Sequence, residues 1–149
     1  MARVLPHVMR NINEFNIPSG DTHGYEILYF GVNLILMFDY RLSFDVELKS
    51  ANDSSSNSSD KIQVIIISRK DVLAWKNSGS KSSTQDIAKL HYFNSGQKIN
   101  DIFRPSISDA YAFILSNRLS SNNSPKKVDV TLVHTWQQEV KESQLKDKV

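Results

Sequence analysis

From Tyr40 to Leu48 apolar and polar residues alternate without a break. Tyr40, Leu42, Phe44, Val46 and Leu48 fall on one side, and Arg41, Ser43, Asp45 and Glu47 on the other. Successive side chains of a strand point to opposite faces, so this period of two predicts a β-strand with one dry face and one wet face. The dry face needs a second layer, and later runs can supply it. Residues 61–68 (KIQVIIIS) are β-branched and become apolar on both faces, as in a central strand covered on both sides. In 110–115, Tyr111, Phe113 and Leu115 share one face while Ala112 and Ile114 lie on the other. Residues 127–136 place Val128, Val130, Leu132, His134 and Trp136 together.

The remaining segments are less sharply patterned. Residues 1–14 alternate weakly around Val4, Val8 and Ile12, as a loose arm or an edge strand. Phe15 to Gly20 reads as a short extended piece closing in a Pro/Gly turn, and 25–30 as a strand. In the apolar stretch 31–38 periodicity does not separate a buried strand from a short buried helix; the alternation beginning at Tyr40 favours a strand entered from Gly31, with a bulge near Met37–Asp39 where the phase slips. Ser68-Arg69-Lys70-Asp71 has the capping-box form, a hydroxyl followed three residues on by a carboxylate, and predicts one or two helical turns carrying Val72, Leu73 and Trp75. Residues 89–93 and 98–103 read as two short strands around a turn at Asn94-Ser95-Gly96. Residues 50–60, 80–87 and 116–125 are polar connectors, and 137–149 is a charged tail or frayed helix. The resulting expectation is an all-β antiparallel sandwich of about seven or eight strands with one short helix. Its limits are expected at 15–136, between an N-terminal arm (1–14) and a C-terminal tail (137–149).

Composition narrows the function classes. At 149 residues one domain is the prior, and 40% hydrophobic with 23% charged residues fits a soluble globular chain. Residues 1–60 carry four Lys/Arg against eight Asp/Glu, and 61–149 carry fourteen against eight, so −4 and +6 sum to the net +2. The basic residues are dispersed, with Arg69-Lys70 and Lys126-Lys127 the notable clusters, so no nucleic-acid stripe is expected. Absence of cysteine excludes disulfides and thiolate metal sites. No run approaches the ~18 apolar residues of a membrane span. Residues 1–10 hold no apolar core of signal-peptide length.

Candidate chemistry is sparse. The histidines, His7, His23, His91 and His134, show no metal-type spacing, and His134 is expected on a core face beside Trp136. Asp39, Asp45 and Glu47 share the wet face of the alternating strand. They could hold Ca²⁺ with help from a loop, but a solvated face is the plainer reading. Asp21 and His23 form an equally weak loop pair. Tyr25, Tyr29, Trp75 and Trp136 would serve a carbohydrate- or surface-binding sandwich if two or more stood exposed in a row; core packing is the alternative. A small enzyme would need a histidine within hydrogen-bond reach of a carboxylate in a cleft. Asn52, Asn57 and Asn122 begin N-x-Ser triplets in loops and would accept glycans if the protein were exported. No catalytic residue, metal ligand or cofactor is assigned.

Several stretches together resemble a known family. They are Ile17-Pro18-Ser19-Gly20, the strand 40–48, residues 61–68 running into Asp71–Gly79 with Trp75, and Asp109–Asn117 with Tyr111 preceding Lys126–Leu132. Over roughly 15–136 the chain resembles the GOLD (Golgi dynamics) domain, the lumenal β-sandwich of secretory-pathway cargo receptors, and its prokaryotic and archaeal relatives. The resemblance implies a jelly-roll-type sandwich, a non-enzymatic protein-interaction module, a protein partner and an extracytoplasmic setting. No ligand-binding residues carry over.

Overall fold

The computed structural model describes residues 2–20, 23–49, 61–78, 89–118 and 125–141. Among the described residues are eight strands: β1 (Ala2–Ile17), β2 (Tyr25–Val32), β3 (Phe38–Lys49), β4 (Ile62–Ser68), β5 (Tyr92–Gly96), β6 (Lys98–Phe103), β7 (Asp109–Ser116) and β8 (Lys126–Lys141). A helix, α1 (Val72–Ser78), follows a 3-10 turn at Arg69–Asp71. The strands form two antiparallel four-stranded sheets, ordered β1-β8-β3-β6 and β2-β7-β4-β5. This order, with the chain passing back and forth between the sheets, is that of a jelly roll. An all-β sandwich is therefore what the sequence folds into.

The alternating residues do what their period dictates. Tyr40, Leu42, Phe44 and Val46 of β3 are buried, facing Tyr111, Phe113 and Leu115 of β7 and Val64 and Ile66 of β4. Val128, Val130 and Leu132 of β8 complete this inter-sheet core. Strand β4 is buried on both faces because its odd residues enter a second cluster. There Ile65, Ile67, Ala112 and Ile114 lie beneath Val72 and Trp75 of the helical segment. Each fully buried side chain of this size contributes roughly 1.5–3 kcal/mol.

Four local expectations give way to other solutions. The apolar stretch 31–38 is not one strand: it turns after Val32. The Asn33 side chain accepts from the Ile35 amide (3.0 Å) and its carbonyl accepts from the Met37 amide (2.8 Å). An Asx turn thus outcompetes the extended conformation. The expected bulge is real, lying between Phe38 and Arg41, with Asp39 at φ 53°. The Ser68 hydroxyl does not cap the helix but donates to Asp109 Oδ2 (2.6 Å), because β7 brings a carboxylate within reach. Asn94-Ser95-Gly96 belongs to β5, and the chain changes sheet at Gln97, so β5 and β6 are not a hairpin.

The fourth difference concerns both ends. Ala2 to Ile17 is one continuous strand, and β8 runs on to Lys141 as its partner, with Ala2 opposite Lys141 and Ile17 opposite Lys126. The expected limits at 15 and 136 therefore fall inside paired strands, and 137–141 is strand rather than frayed helix.

Four residues, Ile17, Pro18, Asn117 and Lys126, meet in one place. Asn117, just after β7, donates from its side chain to the carbonyls of Pro18 (3.1 Å) and Ile17 (3.3 Å). Its amide donates to Gly24 O (2.7 Å), and its side-chain oxygen accepts from Lys126 Nζ. The turn below needs its glycines: Gly20 sits at φ +110°, and a Cβ on Gly24 would strike the Gly20 carbonyl. Next along the chain, the Arg118 guanidinium lies 4.2 Å from the centre of the Trp75 ring and donates to Trp75 O (2.9 Å), tying α1 to β7. Tyr111 donates to the Ile107 carbonyl (2.6 Å), fixing the approach to β7.

Candidate interaction surface

The two long flanks of the sandwich are finished differently. On the β5/β6 flank, Tyr92 of β5 donates to Asp101 of β6 (2.8 Å), linking one sheet to the other. Burial, with the Asp101 carboxylate beside it, pushes that phenol up to about 12. On the β1/β2 flank the sheets part and a cleft opens.

One part of it, about 370 Å³, is lined by Met9, Leu28, Phe30, Met37, Leu132 and His134 among others. A second recess of about 560 Å³ includes Pro6, His7, Arg41 and Arg104, and the two share Tyr40 and Trp136. His134 is buried as expected, and its Nδ1 shares a 2.5 Å hydrogen bond with the Tyr40 hydroxyl. Burial holds the imidazole below its ordinary value and raises the phenol of Tyr40, aided by Tyr111. Both groups are therefore neutral at physiological pH. His7 stacks on Trp136 with the rings 5.5 Å apart and 8° from parallel.

Strand β1 forms the lip of this cleft. Its odd residues lean inward, with Leu5, His7, Asn13 and Phe15 half-buried and Ile17 fully buried. Its even residues face out, and Val4, Val8 and Ile12 are 57%, 65% and 71% exposed. They recur at every fourth residue, so they stand in one row along the outer face. Among the described residues β1 has a single strand neighbour, β8, so its far edge of backbone N–H and C=O groups is open. Behind the row, Arg10 pairs with Val133, and Val133 with Ser43; Ile12 pairs with Thr131, and Val8 with Thr135. Arg41 Nε donates to Thr135 Oγ1 (3.1 Å). Charge concentrates at one end of the face, where Lys127 meets Glu14 (3.0 Å) and Lys49 meets Asp129 (2.9 Å). These pairs are half exposed and hold little energy. In the middle of the face Val8, Ile12, Thr131, Val133 and Thr135 stand among Arg10, Arg41, Ser43 and Asp45.

Among the described residues the other candidate groups assemble into neither a metal site nor a carbohydrate site. Asp45 and Glu47 lie on regular β3 while Asp39 stands in its bulge, and the described residues include no group of three or more His, Asp or Glu placed to hold a metal ion. Trp75 is buried, Tyr25 and Trp136 are half-buried, and Tyr29 alone of the four rings is exposed, with Arg69 above it at 4.7 Å. The exposed aromatic row that a carbohydrate site would use is not formed. His23 is exposed in its loop; Asp21, Asn52, Asn57 and Asn122 lie outside the described residues.

One serine, one histidine and one aspartate do meet. Ser68 Oγ donates to Asp109 and lies 3.4 Å from His91 Nε2. In a nucleophilic relay the imidazole takes the serine proton and the carboxylate orients the imidazole. Here the carboxylate holds the serine proton directly, and Ser68 is 3% exposed. The Ser68 bond holds the Asp109 carboxyl below its usual range; burial first and Lys89 second lower His91.

No family model matches the chain, and no curated protein matches it. Among solved structures, the crystal structure of the decameric BFDV capsid protein is similar over 94% of this chain and all of that one, at 12% identity and a TM-score of 0.48.

Proposed function

We propose that this chain is a non-catalytic protein-interaction module of the GOLD-like kind, and that it meets its partner along β1. The observation that carries this reading is the sixteen-residue edge strand with Val4, Val8 and Ile12 standing out from it. An uncovered edge offers a ladder of backbone donors and acceptors, and a row of apolar side chains adds selectivity; added strands are recognised in this way. The GOLD-like kinship is supported by the convergence of Ile17, Pro18, Asn117 and Lys126 on one buried latch, with Trp75 held by the neighbouring Arg118. The direct Ser68–Asp109 bond favours a structural role for the one serine, histidine and aspartate cluster.

A photo-crosslinking amino acid placed in turn at Val8, Ile12 and Leu73 tests the reading in cells that make the protein. Leu73 is a matched control, 67% exposed on α1 over the other sheet. Discrete crosslinked protein species from positions 8 and 12, absent from 73, are expected. Equal labelling at all three positions, or none, overturns the reading.

A further inference from the structure

The row of exposed side chains on β1 is symmetric about its own middle. Val4 and Ile12 are each four residues from Val8. Two antiparallel copies of β1 joined edge to edge, with Val8 on the two-fold axis, set Val8 against Val8 of the partner subunit. Val4 then faces Ile12 of the partner subunit, and Ile12 faces its Val4. A two-fold interface needs this self-complementarity, in which residue i meets j and j meets i.

Neighbouring registers lose it. Moving the axis to Met9 sets Val8 against Arg10 and Val4 against Glu14, placing apolar groups on charges. Moving it to His7 sets Val4 against Arg10. Moving it to Arg10 stacks two guanidinium groups on each other, and like charges directly opposite are destabilising. The Val8 register has apolar partners at all three outward apolar positions and no like charges opposed. Its weak rung is Pro6, which faces Arg10 of the partner subunit and has no N–H to donate, so at most one hydrogen bond forms there.

We propose that the chain forms a two-fold dimer by antiparallel pairing of β1 with β1 of a second copy, in the register centred on Val8. The proposal rests on the reading of β1 as the interaction edge and names its occupant. It joins the two β1-β8-β3-β6 sheets into one continuous sheet of eight strands. Six apolar side chains gather astride the axis on its outer face. The cleft behind β1 is then repeated on the other side of the axis.

Absence of native cysteine makes the test direct. In the proposed register, Val8→Cys brings two thiols onto opposed positions, with Cα atoms about 4.5–5.5 Å apart, inside the span a disulfide bridges. Ile12→Cys puts its own two thiols eight residues out of register, about 26 Å apart at ~3.3 Å per residue. Purified Val8→Cys is expected to oxidise to a covalent dimer at least tenfold faster than Ile12→Cys. An equimolar mixture of Val4→Cys and Ile12→Cys should give the mixed dimer in preference to either homodimer. Light scattering on the wild-type chain over a concentration series should show twice the chain mass. Val8→Lys, which sets two ammonium groups together at an exposed position, should weaken the dimer at least tenfold with unchanged circular dichroism. A single-chain mass at every concentration, together with no preference for position 8, overturns the dimer. The same result with position-specific crosslinks to a different protein in cells overturns the dimer and leaves β1 as an edge for another partner. A dimer that forms disulfides fastest at another β1 position overturns the register.

Discussion

The two sheets turn opposite outer faces to their surroundings. The outer face of β2-β7-β4-β5 carries Ile65, Ile67, Ala112 and Ile114, all buried because the helical segment lays Val72 and Trp75 across them. The outer face of β1-β8-β3-β6 carries Val4, Val8, Ile12 and Ile102, all exposed. Both faces hold branched apolar residues, so composition alone does not separate them. What separates them is a covering element: α1 and its Arg118 tie close the centre of one face, leaving Tyr29 and Phe93 exposed beside it, and among the described residues nothing lies over the other. The division leaves one face partly covered and the other open to the contacts proposed above.

Removing the cover should give the largest effect. Trp75→Ala empties the centre of the second cluster and takes away the ring beneath Arg118; a loss of about 3–5 kcal/mol is expected, read from the midpoint of denaturant unfolding. The matching change on the open face, Val8→Thr, should move stability by no more than about 0.5 kcal/mol, the usual range for exposed sites. A large loss at Val8 in the isolated monomer would erase the contrast.

Between these extremes lie the buried polar groups. His134 is held below its ordinary value by burial, so below about pH 6.5 the unfolded chain binds a proton that the native imidazole refuses. Stability is therefore full above that pH and falls as pH drops toward the native value. A single such group gives a slope of at most about 1.4 kcal/mol per pH unit. Denaturant unfolding between pH 5 and 7 should show this slope, and His134→Gln should reduce it while lowering stability at pH 7 through loss of the Tyr40 bond. His91, lowered in the same direction, leaves a residual slope in that variant. Ser68→Ala removes the hydrogen bond to Asp109, not a helix cap; a cost of about 1 kcal/mol is expected. The Asp109 carboxyl should rise toward its usual value, as followed by NMR titration.

Legibility in the sequence tracked how strongly burial enforces a pattern. Residues 40–48, 62–68, 110–115 and 127–136 were readable because one or both of their faces are fully dry. Strand β1 was only half readable, since its inward residues His7, Asn11 and Asn13 border a cleft instead of a packed core, and alternation fades where nothing dry demands it. The turn at Asn33 was hidden by apolar neighbours: Ile35 and Leu36 are 80% and 57% exposed, and one side-chain hydrogen bond outweighed their preference for strand. Ser68 matched a cap in sequence, but its bond is decided by Asp109, forty-one residues away. The candidate surface was visible only as three apolar residues at intervals of four. That they stand uncovered depends on where α1 docks, which no local pattern records.

The pairing of β1 with β8 also sets a timetable. Among the described residues β1 has its one strand neighbour in β8, near the other end of the chain, and β8 sits between β1 and β3 in its sheet. While the chain emerges from a ribosome at ~5–20 residues per second, β1 waits roughly 6–25 s for its partner to be made. Through that interval Val4, Val8 and Ile12 stand on a strand with both edges open. Closure then proceeds through contacts of long sequence separation, which places folding toward the slow end for a domain of this size. The edge proposed to recruit a partner in the finished molecule is therefore also a stretch left without its strand neighbour until β8 is made.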